Sequence, residues 1–372
     1  MRIESVEVVR VELELVAPLA TSQGTHAARP LVLVRITTTD AVGSGECAAL
    51  AEPIYTSEDA DGAEAALCDL LVPAMLVGGP EADGAAAFFA RLETVPGHPM
   101  AKAAVEMALL DAEMRAAGRS IADLVGAKAD VIEAGATIGI AAPDDAARIA
   151  TELVSGGFRR IKVKIAPGHD TDVVLAVRRA IGFTAMSVDA NGAYRADDGR
   201  HLAALRLLDE LGLSAIEQPF AAADLAAHVM LRRLIRTPIV LDESITNLDD
   251  LERAIAFGAA DAISIKSARL GGVFASMAIC RRARRGGVGL VVGGMLESGI
   301  GRSVAIALGA SEGFTMTGDL GPSGRYFARD LTAPHEMVDG MLSVPRGPGI
   351  GVAVDEEAIS SFTRRNTLVN AP

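Results

Sequence analysis

The chain of 372 residues is 50% hydrophobic and 22% charged, with 38 Gly and no Trp, and this apolar content excludes a mostly disordered protein. Its 35 Lys and Arg against 48 Asp and Glu leave a net charge of −13, so no global basic footprint exists for nucleic acid or an anionic membrane. The length exceeds one ordinary core and predicts two domains, or one large barrel with an elaboration. The opening Met1-Arg2-Ile3-Glu4-Ser5 alternates polar and apolar residues and does not read as a signal peptide. No run reaches the roughly 18 to 20 apolar residues that a membrane helix needs. Cys47, Cys68 and Cys280 form no CxxC pair and fit reduced thiols in a soluble, cytoplasmic protein.

The first 60 residues read as strands: Val6 to Val16 and Pro30 to Thr38 are β-branched, with Gly43-Ser44-Gly45-Glu46 as hairpin punctuation. From about Asp61 to Ala117 the pattern turns helical. Between Met100 and Ala117 the apolar positions recur at helical spacing, and Lys102, Glu106, Asp111 and Arg115 are expected on a polar side. Beyond that, short apolar strands alternate with amphipathic helices. The strand candidates are Ala134–Ile140, Ile161–Ile165, Ala185–Val188, Ala215–Ile216, Ile239–Leu241, Ala262–Ile265, Gly289–Val292 and Phe314–Thr317. Eight such repeats predict a parallel sheet closed into a β/α barrel. An open doubly wound sheet ranks second, because neither GxGxxG nor GxxxxGK[ST] occurs. The boundaries expected are 1–125 for an α+β unit, 126–325 for the barrel and 326–372 for a tail that returns to the first unit.

Charged residues mark the strand ends. Lys162 and Lys164 close the second barrel strand and share a face by period-2 alternation. Asp189, Glu217, Asp242 and Lys266 follow at intervals of about one β/α repeat, each ending a strand at the same height. Alone, each would be a solvated charge or an ion-pair partner; six in register are not coincidence. Three carboxylates without Cys or His make a hard, oxygen-only site suited to Mg²⁺, or to Mn²⁺. Such a cation stabilises the enediolate formed when a proton α to a carboxylate is removed. Lys164 and Lys266, on opposite sides of the acidic arc, then serve as acid and base, with their pKa values expected to fall near the cation and Lys162. Glu243 is expected to turn the other way as a supporting acid, while Asn191 neighbours a ligand as a donor. Glu297 follows the seventh strand in a Gly-rich loop that serves either substrate approach or a tight turn. The six histidines lie off this register, and the Arg281–Arg285 run reads as a solvated helix end.

Lys162-x-Lys164, Asp189, Glu217, Asp242 and Lys266 together resemble the enolase superfamily, in its muconate lactonizing branch. Several stretches are similar to the N-acylamino acid racemase and o-succinylbenzoate synthase group: Pro18 to Thr25, Tyr55-Thr56-Ser57-Glu58, Met100-Ala101-Lys102, Gly293 to Gly301 and Gly318 to Phe327. The resemblance implies a modified TIM (β/α) barrel under an N-terminal α+β capping domain that the C-terminal tail completes. It also implies Mg²⁺ on Asp189, Glu217 and Asp242, Lys164 and Lys266 as acid and base, Lys162 as electrostatic helper, and a homo-oligomer. The capping loops from Leu19 to His26 and around Tyr55 would close over a small carboxylate substrate. By the same resemblance Ser22, Tyr55, Thr137, Met295 and Asp319 become candidate substrate contacts. Ala20 and Gln23 stand where the group more often carries an Arg and an aromatic residue, and Ser267 where Pro is common, which reshapes the pocket but spares the bases. The expected reaction is racemisation of N-acyl or N-succinyl amino acids; o-succinylbenzoate synthesis by syn dehydration ranks second. Dipeptide epimerase and cycloisomerase follow, although the acidic pair expected of the epimerases is missing at Asp319-Leu320. A non-catalytic metal binder on the same fold would need neither lysine.

Overall fold

The computed structural model describes residues 1–21 and 24–371. Three antiparallel strands open the chain: β1 (Ile3–Thr21), β2 (Gly24–Thr38) and β3 (Val42–Cys47). Buried Val6 and Val8 of β1 and Val32, Val34 and Ile36 of β2 lie in register on one face, which packs on the helix Pro99–Ala116, while Leu31 and Leu33 are buried on the opposite face. Gly43 and Gly45 are not turn residues. They lie inside β3 on the face toward that helix, where a Cβ would come within 2.0 Å of the Ala108 and Ala104 carbonyl oxygens. Glycines two apart on a strand meet alanines four apart on a helix, and the two backbones touch. Gly45→Ala is therefore expected to cost about 3 kcal/mol or more, measurable by urea unfolding.

Of the four charges expected on the polar side of the helix Pro99–Ala116, Lys102 and Arg115 are half-buried, but Glu106 and Asp111 are only 1% and 0% exposed. Glu106 accepts from the Val273 and Phe274 amides at the start of the helix Val273–Arg285, and Asp111 accepts from Ser44 and Ile350 amides at 2.8 and 2.7 Å. Both acids satisfy backbone donors that burial would otherwise leave without partners.

After the short β4 (Val131–Glu133), the strands β5 (Gly135–Ile138), β6 (Arg160–Lys164), β7 (Ala185–Asp189), β8 (Ala215–Glu217), β9 (Ile239–Leu241), β10 (Ala262–Ile265) and β11 (Gly289–Val292) follow. The last seven form one parallel sheet in sequential order, with helices packed outside. This is the curled sheet of a modified barrel, with its apolar core between sheet and helices. The eighth strand expected at Phe314–Thr317 is reduced to one bridge, Phe314 with Leu290. Irregular backbone closes the ring instead: the Asp319 amide donates to Val292 and the Gly135 amide to Leu320, at 2.9 and 3.0 Å. A Cβ on Gly318 would meet Val292 at 2.3 Å, and one on Gly135 would meet the Gly318 carbonyl at 2.0 Å, so only glycines fit this seam. Beyond it, β12 (Met337–Val338) pairs with β13 (Met341–Ser343), which pairs with β4, and β14 (Thr363–Asn370) pairs antiparallel with β1. The tail thus divides between the two sheets. The first hairpin reaches the barrel rim, where the Val16 amide donates to Tyr326 at 2.8 Å. No helix among the described residues is long and apolar enough to cross a membrane.

Candidate active site

Parallel register places the charges at one height. Lys164 pairs with Asp189 and Asp189 with Glu217 across β6, β7 and β8, while Asp242 and Lys266 immediately follow β9 and β10. Lys162 lies two residues before Lys164 and points the same way. All three carboxylates are at most 3% exposed.

The ammonium groups thread between the acids. Lys164 Nζ donates to Asp189 Oδ2 at 2.7 Å and to Asn191 Oδ1 at 2.6 Å. Lys162 Nζ lies 3.0 Å from Asp189, 3.2 Å from Glu217 and in contact with Asp319. Lys266 Nζ donates to Asp242 Oδ2 at 2.8 Å and to the Tyr55 hydroxyl at 3.0 Å. Among the described residues no three His, Cys, Asp or Glu are grouped as a ready metal cage; lysine or arginine nitrogens contact Asp189 and Asp242.

The electrostatics are uneven. Burial would lift Asp189 and Asp242, but Lys164 with Lys162, and Arg269 with Lys266, hold them well below the usual carboxylate range. Glu217 goes the other way: burial, then Asp189, Asp319 and Asp242, push it up to about 8 despite Lys162. Glu243 rises to about 7, by burial and then by Asp242 and Asp189. Burial alone would lower Lys162 and Lys266, yet Asp319, Glu217 and Asp189 raise the first, and Asp242 raises the second. The acids of the rim take countercharge from the neighbouring lysines and from Arg269.

Most of the sequence candidates converge on one pocket. Lys162, Lys164, Asn191, Lys266, Tyr55, Thr137, Met295 and Asp319 line it, joined by Leu50, Gly294, Leu296, Arg302 and Tyr326. Glu243 does not turn away: its Oε1 accepts from Asn191 Nδ2 at 2.8 Å, extending the chain of bonds that begins at Lys164. Glu297 is buried behind the pocket wall, 3.8 Å from Arg302. Ser22 lies outside the described residues. Sequence reading missed Arg269, Arg160 and Arg302. Arg269 touches Asp242 and donates to the Tyr55 hydroxyl at 2.7 Å, and Arg160 pairs with Asp319. Arg160 was legible, standing two residues before Lys162 on the same face. Arg269 lies one helical turn beyond Lys266, where nothing in the local sequence distinguishes it from a surface charge.

Three non-glycine residues around the pocket adopt left-handed backbone: Asn191 at φ 44°, Gln218 at φ 37° and Leu296 at φ 55°. Such strain clusters where side chains must be aimed. Gly293 serves differently, because a Cβ there would lie 2.5 Å from Lys266 Cε and from Ser264 Oγ. Gly293→Ala should displace Lys266 and lower kcat roughly 10- to 100-fold with little change in Tm, as steady-state kinetics beside thermal melts would show.

The donor set itself fits a hard divalent cation: three carboxylates on adjacent strand ends, no soft ligand, and one acid, Glu217, left under-compensated. Comparison with known proteins agrees with this architecture. Residues 3–126 match the mandelate racemase/muconate lactonizing enzyme N-terminal domain, and residues 145–358 the enolase C-terminal domain-like family. An N-succinylamino acid racemase of an Amycolatopsis species is 41% identical over 376 residues, covering 100% of both chains. An o-succinylbenzoate synthase of Geobacillus kaustophilus is 38% identical, covering 98% of this chain and 96% of that one. The crystal structure of an enolase superfamily member from Listeria innocua superposes with a TM-score of 0.93 at 32% identity, covering 100% of this chain and 99% of that one. Two family domains in order, over one strand-end constellation of acids and lysines, place the chain among the enzymes of the enolase superfamily, to which it belongs.

Proposed function

We propose that the protein is a Mg²⁺-dependent racemase of N-acyl, in particular N-succinyl, amino acids. The observation that carries this reading is the placement of Lys164 and Lys266: both line one pocket, from β6 and from the end of β10, with the three acid-bearing strands between them. Asp189, Glu217 and Asp242 would hold the cation. Bound there, it supplies positive charge opposite the substrate carboxylate that gains negative charge when its α-proton leaves. Members of the superfamily generally bind Mg²⁺, and Mn²⁺ would serve as a substitute.

The chain's own residues supply the proton traffic. Asn191 and Asp189 fix the Lys164 amine on one side, and Tyr55 and Asp242 fix that of Lys266 on the other. One amine takes the α-proton from its face and the other delivers a proton to the opposite face, inverting the centre. Lys162, wrapped by Asp189, Glu217 and Asp319, keeps its proton and contributes fixed positive charge. Leu50, Met295 and Leu296 form the apolar wall that limits water. In this reading the partner is a small carboxylate, and the enzyme works in the cytoplasm as a homo-oligomer.

A second reading is o-succinylbenzoate synthesis, favoured by the relative of that name at 38% identity. There one lysine suffices as acid and base while the other stabilises charge. The discriminating experiment is α-proton exchange in D₂O with Mg²⁺ and a panel of N-succinyl L- and D-amino acids, followed by NMR. Exchange from both enantiomers, lost on chelation and confined to one enantiomer in Lys164→Ala, supports racemisation; its absence overturns that reading and leaves the dehydration assay to decide.

A further inference from the structure

Behind the pocket wall sits a buried charge that no catalytic role explains. Arg29, on β2, is 1% exposed, and five backbone carbonyls accept from it. Three belong to the first domain: Pro30 at 3.2 Å, Ala49 at 2.7 Å, and Ala48. The other two are Met295 and Leu296, each at 3.1 Å, in the loop that follows β11. A guanidinium has five N–H donors in a rigid fork, so this one is fully engaged on main chain. Both groups of partners lead directly into the pocket lining: Ala49 precedes Leu50, and Met295 and Leu296 line the pocket themselves.

The far end of the same loop is held by an acid. Glu46, on β3, accepts from the Ser298 amide at 3.1 Å, from the Ser298 hydroxyl, and from the Gly301 amide at 3.2 Å. Carbonyls are gripped by a guanidinium and amides by a carboxyl group, both from the first sheet. Between the two grips Leu296 is kept at φ 55°, a conformation a leucine adopts only when its surroundings impose it. Nothing in the barrel needs these charges for its own closure, since the seam at Gly135 and Gly318 provides that.

We propose that Arg29, together with Glu46, is a positioning device that sets the shape of the substrate pocket by fixing the Met295–Ser298 loop against the Ala48–Tyr55 segment. Neither residue lines the pocket. They act through the backbone they hold, and the capping sheet thereby decides where a barrel loop stands.

The test combines Arg29→Lys, which keeps the charge but has fewer donors, with the near-isosteric Glu46→Gln, which answers the question if the first variant does not fold. Ile36→Val, a buried change elsewhere on β2, is the control for stability alone. Hydrogen–deuterium exchange read by mass spectrometry is expected to show amides of residues 295–298 exchanging about tenfold faster or more in either variant, with β7 to β9 unchanged. KM for the best N-succinyl amino acid is expected to rise about tenfold or more while kcat changes less, a displacement effect that Ile36→Val does not reproduce. Unchanged protection of residues 295–298 in a folded variant, or equal KM shifts in the control, overturns the proposal. The KM comparison rests on the proposed racemase reading, whereas the exchange comparison does not. Should the wild type leave every α-proton in place, the exchange result still decides the role of Arg29 and Glu46.

Discussion

Lys266→Ala is expected to abolish inversion while leaving deuterium wash-in from one enantiomer. Lys164 and Lys266 approach the pocket from strands separated by β7, β8 and β9, so each amine addresses one face of a substrate held between them. With Lys266 gone, Lys164 can still remove and return the proton on its own face, and exchange proceeds with retention. Positioned general acid–base groups are worth about 10² to 10⁴-fold, so inversion should fall by about 10³-fold or more. Lys164→Ala should give the mirror result with the other enantiomer. If dehydration is the true reaction, Lys266→Ala keeps measurable product formation and only charge stabilisation suffers. Exchange of both enantiomers at wild-type rates by Lys266→Ala would remove Lys266 from the mechanism. Asp242 retains Arg269 as a partner in that variant, so gross collapse of the rim is not expected.

The second large effect concerns pH and the cation. Glu217 rises from 4.5 to about 8 and Glu243 to about 7, both chiefly through burial. Glu46 and Glu106 also rise to about 7, by burial first. For each of these groups the folded state holds a proton that the unfolded chain releases above its ordinary range. Stability of the cation-free protein therefore falls as pH increases from about 4.5 toward 8. Asp189 and Asp242 have the opposite sign, since their pKa values are depressed. Their contribution is present at neutral pH and disappears only in acid. A divalent cation would add countercharge at Glu217 beyond that of Lys162, but below pH 8 it must first displace a proton. The rise in Tm on adding Mg²⁺ should accordingly be greater at pH 8 than at pH 6, with apparent affinity weakening about tenfold per pH unit for each proton displaced. Thermal melts with and without Mg²⁺ across this range check it. A cation effect that is flat in pH would mean that Glu217 is already ionised in the cation-free fold.

Local chemistry was legible wherever a residue's role follows from its position on a strand. Period-2 alternation and the repeat length suffice to bring Lys162, Lys164, Asp189, Glu217, Asp242 and Lys266 to one rim, because a parallel barrel strand carries its last residue to the same height each time. The alternation of strands and helices likewise determined the barrel class and the preceding α+β unit. What composition and spacing could not reveal is every feature that depends on a neighbour distant in sequence. Gly43 and Gly45 look like a turn until a helix from residue 99 onward is laid against them. Glu106 and Asp111 look solvated until the amides they satisfy, Val273 and Ile350 among them, arrive from elsewhere in the chain. The eighth strand fails because Gly318 is pressed against Val292 by the closure of the ring, a condition absent from its local sequence. Arg269, Arg29 and Glu46 carry no local signal at all. By itself the sequence determined the strand-end constellation and the fold class. Only the tertiary structure decided which acids share a lysine, which loop stands where, and which buried charges hold it, since burial and long-range pairing set those energies.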